Sequence, residues 1–145
     1  MTLALEYRLP VAADPAKAWG LLVEPRSWSR WWPAVRDART ADFKPLREGS
    51  RFEANLEMGH LKSTLRAKVA LCADGKSITW DSRWLGVPFR HEWYLEPRPD
   101  GCRAIARSRF AGPGATLLHW VRLDRRWQLM LTEQVRGLKK VAEQL

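Results

Sequence analysis

Of the side chains able to move a proton or hold a ligand, His91 and Gln134 stand in the most unusual company. His91 falls in a run where Phe89, His91, Trp93 and Leu95 alternate with Arg90, Glu92, Tyr94 and Glu96. A period of two puts the histidine on the apolar face of a strand. An imidazole titrates near neutrality, so His91 could serve as a general acid or base, as in a cyclase-type reaction. It could equally be a hydrogen-bonded histidine with a structural role. Gln134 lies near the centre of an otherwise apolar helical stripe. A buried amide needs hydrogen-bond partners, and a ligand, His91, Ser82 or water could supply them. The residues that would surround such a ligand are Trp80, Ser82, Trp84, Phe89, His91 and Trp93 from strands, and Trp120, Trp127, Met130 and Gln134 from the helix. An apolar lining with a few polar groups suits a small-molecule pocket. The same tryptophans could instead fill the core, so the pocket is open or plugged on this reading.

Other chemistry is thin. His60 and His119 have no metal-ligand spacing with His91 or with each other, and no metal or cofactor is expected. Gly112-Pro113-Gly114-Ala115 lacks the third glycine and the parallel strand–turn–helix setting of a phosphate loop, and reads as a flexible hinge. No nucleophile-elbow, zincin or P-loop pattern occurs. Cys72 and Cys102 match no C-x-x-C spacing, and free thiols are favoured over a disulfide.

The formal net charge of +9 points to anionic partners such as nucleic acid, anionic membrane or an acidic protein. Many arginines alternate along the outer strand faces with Glu53, Glu57, Asp81, Glu92 and Glu96, a pattern of solvated cross-strand pairing. A denser basic surface comes from Arg122, Arg125, Arg126, Arg136, Lys139 and Lys140 on the helix exterior, with Arg26, Arg30 and Arg36 elsewhere. No nucleic-acid module accompanies it. Solvated surface is the favoured reading, with nucleic acid or anionic membrane as the alternative.

The elements that must position these residues follow from periodicity. Leu3, Leu5, Tyr7 and Leu9 alternate with polar residues and form a strand. Asp14 caps and Pro15 opens a helix running to about Leu22; Trp28, Trp31 and Trp32 share the face of a second short helix ended by Pro33. From about Val35 to Phe110 the chain alternates with period two, broken by short turns, which makes an antiparallel meander with one buried face. Its inward residues run through Phe52 to Met58, Leu61 to Leu71, Ile78 to Trp84, Phe89 to Leu95 and Cys102 to Phe110. From about Ala115 to Gln144 the period becomes helical, with Trp120, Leu123, Trp127, Met130, Leu131, Gln134, Leu138, Val141 and Leu145 on one side. Burying every apolar face at once requires a curved sheet of about seven strands wrapped around that helix.

The order of elements resembles the polyketide cyclase/dehydrase and lipid-transport family of the START-like superfamily. The segment Val11 to Arg39 looks like that family's first helix pair and the strand after it. The Trp80 strand and the amphipathic end helix fall where the family has them. The resemblance implies an α+β helix-grip fold over residues 1–145 as one domain. It also implies a cavity for a hydrophobic molecule: a lipid, sterol, quinone or aromatic polyketide. It carries no shared catalytic signature. Three functions follow: binding or transport of such a ligand, a cyclase or dehydratase using His91 with Gln134 or Ser82 orienting a carbonyl, and docking on an anionic macromolecule. The N-terminus has no basic lead and no stretch long enough to span a bilayer, so a cytoplasmic location is expected. Oligomeric state is left open.

Overall fold

A computed structural model describes residues 2–145. Strand β1 (Thr2–Val11) leads into helix α1 (Pro15–Leu22), where Asp14 Oδ1 accepts from the Ala16 amide at 2.9 Å as the sequence predicts. A 3₁₀ turn (Pro25–Ser27) and the one-turn helix α2 (Trp28–Trp31) carry the chain to the far edge of the sheet. There β2 (Val35–Thr40) starts a meander through β3 (Arg51–Met58), β4 (Leu61–Ala73), β5 (Ser77–Trp84), β6 (Val87–Arg98) and β7 (Gly101–Ala111). The seven strands form one antiparallel sheet in the order β1-β7-β6-β5-β4-β3-β2, so β7 returns to pair with β1. Helix α3 (Pro113–Trp120) and the long α4 (Leu123–Gln144) complete the chain.

The predicted alternation holds along most of the sheet. Phe52, Ala54 and Leu56, then Leu65, Ala67 and Val69, then Ile78, Trp80 and Trp84 are buried on the face toward α4. On the other face, Arg90 stands across from Asp81 at 2.7 Å and Arg39 across from Glu53 at 3.1 Å. Such exposed pairs contribute about 0–1 kcal/mol each. Cys72 and Cys102 are free thiols.

Three expectations need correction. Leu71 does not continue the buried row of β4: it is 57% exposed, because the register shifts between Val69 and Leu71. An extra residue at a bulge turns every later side chain to the opposite face. Thr79, Ile105 and Glu92, read as outer and wet, are buried by their cross-strand neighbours: Thr79 lies between Leu71 and Glu92, Ile105 between Arg8 and Tyr94, and Glu92 accepts from the Tyr94 hydroxyl. The third correction concerns the end helix, which is two helices. Arg122 adopts a left-handed conformation (φ 63, ψ 22) between α3 and α4. That breaks the i→i−4 ladder, so the helical phase of Trp127 is not carried back to Trp120. Trp120 is 80% exposed instead of facing the sheet. Leu145 at the end of α4 is exposed as well.

α4 crosses the sheet with Trp127, Met130, Leu131, Gln134, Val135, Leu138 and Ala142 buried, and it lies most closely over β1. Polar ties fix it there: Gln128 donates to the Glu6 carbonyl (3.2 Å), Lys139 to the Pro10 carbonyl (2.8 Å), and Glu143 accepts from the Ala12 amide (2.8 Å). α1, α2, α3 and β7 also pack against it. At Gly137 the approach of α2 is so close that a Cβ would lie 1.7 Å from the Trp31 carbonyl oxygen. Only glycine admits the backbone of α2 at that distance.

Candidate functional site

The volume between sheet and α4 is filled mainly by rings. At one end Trp127 packs against Trp84 (4.7 Å between centroids), Phe89 (4.9 Å) and Phe110 (5.4 Å). At the other, Trp28 stacks on Trp80 at 5.5 Å, and Trp31 meets Trp93 edge-on at 6.0 Å. The tryptophans of α2 are therefore interior residues. Their spacing predicts a shared helical face, whereas its closure over the sheet depends on tertiary contacts that spacing does not encode.

His91 occupies the middle of this interior and is 2% exposed. Its ring stacks on Trp80 at 5.0 Å, and its Nδ1 lies 2.7 Å from Ser108 Oγ on the neighbouring strand. Ser108 was not singled out from sequence. The β6–β7 register, which pairs it with His91, is the signal that would have found it. His91 Nε2 has no hydrogen-bond partner. It is a donor if the serine hydroxyl donates to Nδ1, and an acceptor if Nδ1–H donates to the serine. Burial pushes the His91 pKa from 6.5 down to about 3, so the ring is neutral at physiological pH.

Gln134 is fully buried, and neither its Nε2 nor its Oε1 has a partner. Its level along the interior is set by contacts on either side. Trp127, two turns earlier on α4, touches Phe89; Gly137, one turn later, abuts Trp31, which touches Trp93. Gln134 thus lies on α4 between the turn that meets Phe89 and the turn that approaches Trp31. Trp93 Nε1 and Trp127 Nε1 are also without partners. Donors and acceptors left without partners inside an apolar core are uncommon in folded proteins and ask for an explanation.

The remaining predicted residues divide. Met130 is buried and its sulfur accepts from Trp32 Nε1 at 3.0 Å. It also forms part of a groove of about 290 Å³ lined by Pro33, Ala34, Met58, Leu129 and Glu133 among others. Met130 thus borders both this groove and, through Trp32, the interior rings, and methionine is flexible enough to move. Ser82 and Trp84 are buried but already engaged: Ser82 Oγ donates to the Arg66 carbonyl (2.9 Å), and Trp84 Nε1 donates to Ser63 Oγ (3.2 Å). Their donor hydrogens are therefore already used, and Ser82 Oγ keeps only acceptor capacity. Phe89 and Trp127 are buried and pack against each other. Trp120 stands outside the interior altogether.

Comparison with known proteins places this arrangement. The sequence profile described as polyketide cyclase / dehydrase and lipid transport matches residues 2–143. No curated protein sequence matches the chain. Among solved structures, the di-domain ARO/CYC StfQ from the steffimycin biosynthetic pathway superposes with a TM-score of 0.82 at 18% identity, over 99% of this chain and 51% of that one. The chain thus spans about half the length of StfQ. The ZhuI aromatase/cyclase from Streptomyces sp. R1128 gives a TM-score of 0.81 at 13% identity, over 99% of this chain and 95% of that one. Major latex-like protein 151 from Panax ginseng gives 0.79 at 10% identity, with 98% of each chain covered. At these identities the likeness is one of fold.

Proposed function

The chain belongs to the polyketide cyclase/dehydrase and lipid-transport family, and we propose that it binds or carries a small hydrophobic molecule between sheet and α4, with a polar group of that molecule held by His91, Gln134 and Trp93. The observation that carries this reading is the set of buried polar atoms without partners on those three side chains. Together they offer an indole N–H donor, an amide donor and acceptor, and one imidazole nitrogen of either kind. A carbonyl or hydroxyl on an otherwise apolar, flat skeleton suits both that inventory and the aromatic walls. The groove beside Met130 supplies the way in. Because Trp28, Trp31, Trp80 and Trp127 pack closely, entry requires rings and Met130 to move, and binding is coupled to opening of the interior.

The cyclase or dehydratase reading is second. A histidine whose conjugate acid has a pKa of about 3 accepts protons poorly at neutral pH, which favours binding over general-base catalysis in the closed state. A His91→Ala variant that fails to turn over a substrate used by the parent would reverse this order.

Native mass spectrometry of the purified protein, followed by tryptophan-fluorescence titration with a panel of quinones, sterols and aromatic polyketides, tests the principal reading. Retention of at least one class supports it, and no binding across the panel overturns it. A specific outcome is expected for Gln134→Leu. Removing an amide that is buried without partners should raise the unfolding free energy of the ligand-free protein by about 1–3 kcal/mol. The same change should weaken retention of the identified ligand by about tenfold or more. Urea unfolding and competition titration read the two effects. A destabilised variant with unchanged affinity would remove Gln134 from the site.

A further inference from the structure

We propose that the corner where α3 meets α4 docks on the surface of an anionic lipid bilayer. Leu117, Trp120 and Val121 follow the i, i+3, i+4 spacing that gathers side chains on one helical face. They are 61%, 80% and 54% exposed, respectively. A cluster of large apolar side chains left open on a surface marks a contact site. The cluster is held out by its backbone: Gly112 (φ 85) and Arg122 (φ 63) are left-handed residues at the two ends of α3, so the helix forms a distinct corner between β7 and α4.

The rim is basic. Arg122, Arg125 and Arg126 follow directly in sequence, and none of the three pairs with a carboxylate among the described residues. The carboxylate between them, Asp124, is occupied by His119 Nδ1 at 2.9 Å and by the Arg125 amide at 3.0 Å. The corner therefore joins an apolar cluster to unneutralised positive charge, within a chain whose net charge is +9.

A bilayer with anionic headgroups is the partner that uses every part of this corner. Tryptophan is enriched at the membrane–water interface, where the indole sits at headgroup level. Leu117 and Val121 enter the acyl boundary, and the arginines meet lipid phosphates and carboxylates. A nucleic acid would use the arginines and could stack on Trp120, but gives Leu117 and Val121 nothing to bury against. A projecting apolar cluster needs a matching pocket in a protein partner, whereas fluid lipid conforms to it. No helix among the described residues is long and apolar enough to cross a membrane, so this is a peripheral contact. It is independent of what the interior binds.

The test is sedimentation of the full chain with vesicles of phosphatidylcholine alone and of phosphatidylcholine containing about one-quarter phosphatidylserine. Strong retention is expected on the second and little on the first, weakening steeply with added sodium chloride. Trp120→Ala should reduce retention by about tenfold, and R122Q/R125Q by about fivefold for each arginine removed. All these side chains are exposed, so the variants should keep the parent's circular dichroism and melting temperature. Arg126 is left alone because it also donates to the Met58 carbonyl. Absence of retention on phosphatidylserine vesicles, equal retention on both compositions, or retention unaltered by Trp120→Ala overturns the proposal. So does salt-sensitive binding of RNA or self-association through Trp120 in the absence of vesicle binding.

Discussion

Replacing Gly137 with alanine is expected to destabilise the protein by about 3 kcal/mol or more. Alanine is a better helix former than glycine by about 1 kcal/mol, so local propensity alone would predict stabilisation. The structure reverses that sign. The new Cβ would lie 1.7 Å from the Trp31 carbonyl oxygen and 2.8 Å from its carbonyl carbon. These are backbone atoms, so no rotamer change relieves the clash, and α2 must move bodily away from α4. Trp28 and Trp31 would move with it and loosen their contacts with Trp80 and Trp93. Urea unfolding measures the loss, and the melting temperature should fall by roughly 6–12 °C for a chain of this size. Gly20→Ala is the control. No heavy atom comes within 4 Å of a Cβ at that position in α1, so the propensity gain should appear there undiminished. If both variants are equally stable, the tight α2–α4 contact does not exist.

The second large effect concerns acid. His91 is neutral in the folded protein down to about pH 3, whereas an unfolded histidine takes up its proton near 6.5. Between those values the unfolded state binds the additional proton. Stability therefore rises with pH through this window, by up to ~1.4 kcal/mol per pH unit. The contribution is fully present above the unfolded pKa and lost as pH falls toward the folded one. Carboxylates such as Glu6, Asp81 and Glu57, held below their ordinary pKa by Arg8, Arg90 and Arg36 respectively, add to acid sensitivity at the lower end. The difference between parent and His91→Gln isolates the histidine, because Gln carries no titratable group. Urea unfolding at several pH values from 7 to 4 should show the parent losing stability faster than the variant. Parallel curves would mean that His91 is accessible to water in the folded state.

How far the sequence could be read depends on whether a residue's neighbours are local. Strand alternation from Phe52 to Phe110 was legible because each turn is short and each inward residue is fixed by its own strand. The failures have specific local causes. A bulge after Val69 inverted Leu71, and a left-handed Arg122 broke a helical wheel that looks continuous from Trp120 to Leu138. Nothing in arginine's side-chain chemistry announces positive φ, a region more typical of glycine and asparagine. Within the candidate site, His91 and Gln134 were visible as polar residues on apolar faces. Ser108 was not, because serine on a strand of alternating small residues is unremarkable until the register sets it beside His91. The role of Gly137 was hidden for the same reason: its constraint comes from Trp31, more than a hundred residues earlier.

The pairing of β1 with β7 and its cover by α4 also govern the order in which the chain can fold. Hairpins β3 to β7 join neighbours in sequence and can form early, whereas Thr2 meets Ala111 only by closing a loop that spans most of the chain. During synthesis β1 has neither its strand partner nor its covering helix until β7 and α4 have emerged. Amides of β1 should accordingly gain protection from hydrogen exchange after those of β5 and β6 during refolding. The first strand of the domain is the last one secured.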